Sequence, residues 1–354
     1  MFKKIALGVA GALFLAQLAI ADNIALSDGA TEGAQTVGAP AVAAPAIVGT
    51  GNYVVKVKRA TYAPNSGPRI LVDDAHNNYS DTENRFKGFV DLMVADGARV
   101  TPLSTAPITA QTLAGVDTFV TCNPLNQINA NNNNWTLPTP SAFTDDEIKA
   151  VQDWVKAGGA LLLIADHMPF PGGAEKMAYT FGAVLQNAFV FVPNFDYMST
   201  TDMNVLKFKL HPDNVNDSLL HRHWITEGRN KRERIDYVTN FTGHAFRMRP
   251  GVKFSPIMEL KYGVNMLWPS DADVMTETTP SSAGDGLMQG VVLKYGKGRV
   301  GIFAEASMFS VAYANWNSNY PMGFQNPEAP YNQQFILNLM HWLNPDYARK
   351  HMKK

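Results

Sequence analysis

The run from Gly158 to Gly173, GGALLLIADHMPFPGG, constrains the fold more than any other stretch. Two glycines stop a helix, the residues Ala160 to Ala165 show no polar face, and Asp166-His167 then turns the chain abruptly. A strand that is apolar on both sides must be covered on both sides, as in a parallel sheet flanked by helices. Ligands of such sheets bind beyond the carboxyl ends of the strands, where Asp166 and His167 would stand. Pro169 and Pro171 restrict the backbone of this turn. A rigid polar turn at a strand end suits a preorganised site.

The chain before this run repeats the pattern. Arg69 to Asp73 reads as a first core strand, ending in DDAHNNYS. Ser80 and Glu83 form a capping-box pair ahead of Phe86, Phe89, Val90, Met93 and Val94 at helical spacing. After Gly97, Ala98 to Thr101 reads as a second strand and Val116 to Cys122 as a third, with a helical turn near Gln111 between them. The residues 123–142 form an Asn- and Pro-rich insertion, read as a surface loop with a lid as the alternative. Thr144 and Glu147 make a second capping box, Phe143 can staple onto Ile148, and Val151, Trp154 and Val155 continue the apolar face. A further helix is expected from Ala174 to Phe181. The alternation predicts an α/β three-layer sandwich with a mostly parallel, flavodoxin-like sheet.

The later half predicts a β-rich C-terminal elaboration. Strands are expected at Ala183 to Val192, Phe254 to Leu260 and Gly263 to Trp268. Leu287 to Tyr295 and Arg299 to Ala304 flank Gly296-Lys297-Gly298, a hairpin signal. Asn332 to Leu343 is an amphipathic closing helix. The basic run Arg229 to Arg234 reads most simply as a solvated face.

The start of the chain sets an expectation about compartment. Lys3 and Lys4, the apolar stretch Ile5 to Ile20 and the cleavage site Ala19-Ile20-Ala21, with small residues at its two ends, make residues 1–21 read as a cleaved export signal. Residues 22–52 read as a flexible Ala/Gly/Pro-rich tether. Residues 53–345 then form one domain, opening with an edge strand in VVKVKRATYAP, and 346–354 a basic tail. A bacterial periplasmic or secreted protein without a stable membrane anchor is expected. The 354 residues carry 30 basic and 31 acidic side chains, which leaves no electrostatic footprint for nucleic acid. Cys122 is the one cysteine, so no intrachain disulfide can form, and it reads as a small buried hydrophobe.

The segments ILVDDAHNNYS, FTDDEIKAVQDWVKAGGALLLIADH, GKGRVGIFAEASMFS and NQQFILNLMHWL carry a family resemblance. From about Arg69 to Leu343 the chain resembles the class I glutamine-amidotransferase-like (flavodoxin-type) domains. Within them it is similar to the exported proteins grouped as DUF4350. HRHWITEGR also resembles the His-Pro-Ile-Thr-Gly segment of ThuA-like members, with Trp224 in place of the proline. The resemblance implies that fold. It does not bring the glutaminase reaction, which needs a cysteine at the elbow held here by Asp166-His167. Cys122 closes the third strand and stands elsewhere.

Parallel strands would bring Asp73, Asp74 and His76, then Asp166 and His167, then Glu305 with Ser307, to one sheet edge. Taken singly, these acids can cap helix N-termini and these histidines can satisfy loops. Taken together, they suit hydrolysis of a small polar, carbohydrate-related substrate. One form uses a divalent metal with an open position for water. The other uses His167 or His76 as general base, Asp166 or Asp74 to orient it, and Glu305 as partner acid. No G-x-S-x-G elbow surrounds Ser307. The competing reading is a binding module for carbohydrate or another metabolite, rimmed by Tyr79, Trp135, Phe170 and Trp316, with Asn77-Asn78 and Asn315 to Asn319 as hydroxyl partners. A structural partner in an envelope complex is a third.

Overall fold

The computed structural model describes residues 46–48, 53–193, 204–214, 217–261, 263–315, 320–344 and 347. The expected leader, most of the tether and Trp316 to Asn319 lie outside these residues.

The central sheet has twelve strands: β1 Arg69–Asp73, β2 Arg99–Leu103, β3 Thr118–Cys122, β4 Ala160–Ile164, β5 Ala183–Leu185, β6 Val205–Lys209, β7 Asp217–Leu220, β8 Tyr237–Phe241, β9 Phe246–Met248, β10 Ser255–Glu259, β11 Met288–Tyr295 and β12 Gly298–Phe303. The main path runs β8-β6-β7-β10-β11-β12-β4-β3-β1-β2, with β9 pairing β11 and β5. From β2 to β12 every neighbour is parallel. The spatial order β2-β1-β3-β4 followed by a fifth parallel strand is the flavodoxin-like winding. The glycine-flanked hairpin supplies that fifth strand. β12 pairs antiparallel with β11 on one side and parallel with β4 on the other.

Why β4 lacks a polar face is now explicit. Ala160, Leu162 and Ile164 pack in one core with Phe89 and Leu92 of helix α1 (Lys87–Ala95). Phe335 and Leu339 of helix α4 (Asn332–Leu343) join that core. Leu161, Leu163 and Ala165 pack on the other side with Val151 and Val155 of helix α2 (Asp145–Ala157) and Met177 of helix α3 (Phe170–Thr180). Side chains alternate across a strand with period two, so helices on both faces require apolar residues at every position. Cys122 is fully buried in the first of these cores, and burial pushes its thiol well up. It behaves as a hydrophobe.

The Thr144 capping box forms as expected: Thr144 Oγ1 accepts the Glu147 N–H, and Glu147 Oε2 accepts the Thr144 N–H at 2.9 Å. The Ser80–Glu83 box does not form. Asp81 Oδ1 accepts the N–H groups of Glu83 and Asn84 instead, and α1 begins only at Lys87. Helix α3 begins at Phe170, four residues ahead of expectation, because Pro171 stands in its first turn, where a missing N–H costs nothing. The stretch expected as one strand from Ala183 to Val192 splits. β5 joins the central sheet, whereas Phe189–Phe191 pairs with Asn265–Leu267 in a separate one. Within the expected tether, Ala46–Val48 pairs antiparallel with Tyr313 to Asn315, while the residues from Tyr53 that were expected as an edge strand form none.

The Asn-rich insertion is built around one buried amide. Asn129 Nδ2 donates to the carbonyls of Asn134, Thr136 and Pro138, drawing the loop into a closed wall. The wall docks onto α3 through two glycines. A Cβ on Gly172 would stand 2.0 Å from Thr139 Oγ1, and one on Gly173 2.2 Å from the Pro124 carbonyl. Among the described residues, no helix is long and apolar enough to cross a membrane.

Candidate functional site

Both Asp-His turns lie at the carboxyl edge of the parallel strands, and they are built differently. At the end of β1, His76 is buried and both ring nitrogens are engaged. Nδ1 meets Asp73 Oδ1 at 2.8 Å and Nε2 meets Glu147 Oε1 at 2.9 Å. Asp73 Oδ2 also accepts the Thr121 hydroxyl at 2.8 Å, and Glu147 Oε1 accepts the Ile108 N–H. Burial opposes a charged ring, yet bonds to and charges on Asp73 and Glu147 outweigh it and raise the His76 pKa above 6.5. Burial likewise opposes the Glu147 carboxylate, but N–H bonds from Thr144 and Ile108, with the Thr144 hydroxyl and His76, lower its pKa. Below that raised pKa the ring is an imidazolium held between two carboxylates, which ties the strand end to the first turn of α2. It has no free nitrogen for a substrate. Asp74 turns away and accepts the Thr82 hydroxyl and N–H, at 2.5 and 3.1 Å, with burial raising its pKa. Asn77 and Asn78 are spent on the same turn, through Leu125 and through Asp73, Thr121 and Cys122.

At the end of β4 the histidine is open. Asp166 is buried, its Oδ1 accepting the His167 N–H at 2.8 Å and its Oδ2 the Ala306 N–H at 3.2 Å. Asn123, at the end of β3, accepts the Asp166 N–H at 2.7 Å, so the neighbouring strand end clamps the turn. His167 is half-buried, stacked on Phe189 at 4.2 Å, with Phe170 and Trp135 at 5.9 and 6.5 Å. Its Nδ1 lies 2.7 Å from the Met168 carbonyl. A carbonyl only accepts, so Nδ1 is a donor, and in the neutral ring the lone pair lies on Nε2, which has no partner among the described residues.

Glu305, after β12, lies beside Asp166 and is fully buried. Its oxygens accept the N–H groups of Ser307 and Met308 at 2.6 and 2.8 Å. Burial, then the charge of Asp166, push the Glu305 carboxyl well up. Burial also raises Asp166, resisted by His167 and by the two N–H bonds.

The expected quintet thus divides. Asp166, His167 and Glu305 adjoin one another, while Asp74 and His76 belong to the first strand end. With β3 between β1 and β4, the two turns are about 10 Å apart at the usual strand spacing. A residue not expected joins the elbow: His244, whose Nδ1 donates to the Asp166 carbonyl at 3.1 Å. It is fully buried, burial holds its pKa down to about 3, and its Nε2 has no partner among the described residues. Thr242 and Gly243 before it have positive φ values of 82° and 74°, a strained path for threonine. Gln289 staples that path by donating to the carbonyls of Thr242 and His244. His244 could not be found from spacing, because it is 78 residues from Asp166 and follows an antiparallel strand.

Among the described residues, no group of three or more His, Cys, Asp or Glu side chains is arranged to hold a metal ion. The carboxylates at both turns already accept backbone or side-chain donors, and His76 has no lone pair to offer. These residues do not fit a metal centre. His221 and His223 serve elsewhere: His221 pairs with Glu259 at 2.7 Å, and His223 caps Trp224–Glu227. Arg229 pairs with Glu233, and Lys231, Arg232 and Arg234 face solvent.

Beside the elbow, the Asn-rich wall borders a pocket of about 520 Å³ lined by Asn131 to Asn134, Trp135, Thr136, Ile128, Asp271 and Asp273. Trp135 forms its link to the elbow, touching Tyr79 and Phe170 as well as His167.

No protein-family model matches the sequence, and no curated protein matches it. Among solved structures, the chain is similar to the mmIFT52 N-terminal domain, with a TM-score of 0.51 and 13% identity over 78% of this chain and 96% of that one. This likeness shows the fold alone. More distant are a ThuA-like protein from Bacteroides uniformis, with a TM-score of 0.42 and 11% identity over 81% and 98%, and a cytoplasmic protein from Salmonella typhimurium, with 0.41 and 14% over 78% and 99%. The chain is a mixed α/β protein with a flavodoxin-type parallel core.

Proposed function

We propose that the chain is an exported hydrolase of a small polar substrate, in which His167 Nε2 takes the proton of an attacking water. The observation that supports this reading is the bond from Nδ1 to the Met168 carbonyl, which leaves Nε2 as an acceptor on a half-buried ring. A positioned general base of this kind contributes about 10²–10⁴-fold. Asp166 acts through the backbone, holding the turn by accepting the His167 N–H. Glu305 is the buried acid beside Asp166, its carboxyl pushed well up by burial and by that neighbour's charge. Asp74 and His76 build the end of β1 and take no part in proton transfer. The protein is a DUF4350-like member of the amidotransferase-like group, a three-layer sandwich with a β-rich later elaboration, carried out of the cytoplasm of a bacterium by its leader.

A second reading, a binding module without turnover, is favoured by one observation: Asp166 and Glu305 are 2% and 0% exposed, so neither acid meets a ligand directly. Chromogenic p-nitrophenyl glycosides and short-chain p-nitrophenyl esters separate the two. The hydrolase reading expects turnover of at least one of them, reduced about 10²–10⁴-fold in His167→Gln. Turnover left intact by that substitution overturns the role of His167, and absence of turnover throughout favours the binding module.

A further inference from the structure

The pocket beside the elbow is lined for a ligand whose chemistry can be named. Asn132 and Asn133 both have left-handed backbones, with φ of 54° and 50°, and both are exposed. Their amides make no hydrogen bond among the described residues, unlike Asn131, which accepts from Gln127, and Asn134, which accepts from Thr136. Two such amides offer four donors and two acceptors. Asp271 and Asp273 line the same pocket, Asp271 Oδ1 accepting the Asp273 N–H at 2.9 Å, and the strand-like bridge between Thr136 and Asp271 holds the two walls together. Trp135 and Ile128 add apolar surface, and the Trp135 indole N–H meets no acceptor among the described residues. None of the lining residues is basic.

From these features we infer that the pocket is a subsite for a neutral carbohydrate. Vicinal hydroxyls both donate and accept, so they match a lining that holds paired amides and acidic side chains together. The apolar face of a pyranose ring matches an indole. An anionic ligand would meet two acidic residues of the lining and no basic one. The volume of about 520 Å³ lies in the usual range for small-molecule sites. Because Trp135 also touches His167, a saccharide seated here would extend towards the open Nε2. The subsite rests on the elbow reading for its part in turnover, and its binding does not.

The test is calorimetric titration of the whole protein with maltose, cellobiose, lactose and sucrose, each to about 10 mM, alongside glucose 6-phosphate and calcium chloride. At least one disaccharide should bind saturably. The double substitution Asn132→Gly with Asn133→Gly, which keeps the left-handed backbone allowed, should weaken it about tenfold or more, a loss of about 1.4 kcal/mol. Trp135→Phe should weaken it less, and glucose 6-phosphate should bind more weakly than the disaccharide. His167→Gln should leave the affinity unchanged while removing turnover, which keeps failure of the elbow distinct from failure of the subsite. No disaccharide binding, binding indifferent to the asparagine pair, or heat from calcium alone would each overturn the carbohydrate subsite.

Discussion

The two Asp-His turns of the parallel edge have the same residue types and opposite states. His76 spends both nitrogens on carboxylates, whereas His167 spends one on a carbonyl and keeps the other. What separates them is the third group. Glu147 reaches His76 because the capping box of α2 points its carboxylate back over the strand end, while no comparable group among the described residues reaches His167. A histidine at a strand end therefore reads as structure or as chemistry only once its second nitrogen is accounted for.

The largest expected effect falls on the closed turn. His76→Ala leaves Asp73 and Glu147 buried without their cation, and should cost about 3–5 kcal/mol in chemical denaturation. The pH dependence has a definite sign. The raised His76 pKa means that its contribution is fully present below 6.5 and fades as pH climbs through the folded value. The lowered Glu147 pKa means that its contribution is present above 4.5 and fades as pH falls through the folded value. The stability gap between wild type and His76→Ala should thus be widest between those limits. A gap that widens towards alkaline pH would break the account of the triad.

Glu147→Gln should come next. It keeps the shape, loses the charge, and leaves the His76 ring and an orphan N–H less well matched, for about 1–3 kcal/mol. It should also lower the His76 pKa, which titration followed by NMR would read. An unchanged pKa would separate Glu147 from the histidine. The smallest stability effect belongs to the open turn. His167→Ala removes a ring stacked on Phe189 but leaves no buried charge alone, so its cost should be about 1 kcal/mol. A loss equal to that of His76→Ala would erase the distinction between the turns.

Much of the frame was legible because it is local. β4 announces itself by an uninterrupted apolar run between glycines and an Asp-His turn, and α2 by Phe143, Thr144 and Glu147. Even the fifth parallel strand follows from a hairpin signal, Gly296 to Gly298. The site was only half legible. Asp166, His167 and Glu305 come together because adjacent parallel strands end level, which alternating elements imply. The fate of His76 depended on Glu147, 71 residues away, whose cap role was plain and whose second bond was not. His244 arrives by a strained loop after an antiparallel strand, and no periodicity marks it. The Asn-rich insertion read as a surface loop, because composition alone could not show that Asn129 would close it into a wall.

The state of the two imidazole rings tests the central claim directly. Long-range proton–nitrogen correlation spectra, recorded near neutral pH and assigned with His76→Gln and His167→Gln, distinguish a doubly protonated ring from each neutral tautomer. The structure predicts both nitrogens of His76 protonated below its raised pKa. For the neutral His167 ring it predicts the proton on Nδ1 with Nε2 bare. A neutral His167 carrying its proton on Nε2, or a His76 ring that is neutral at pH 6, would contradict the assignment of one turn to structure and the other to chemistry.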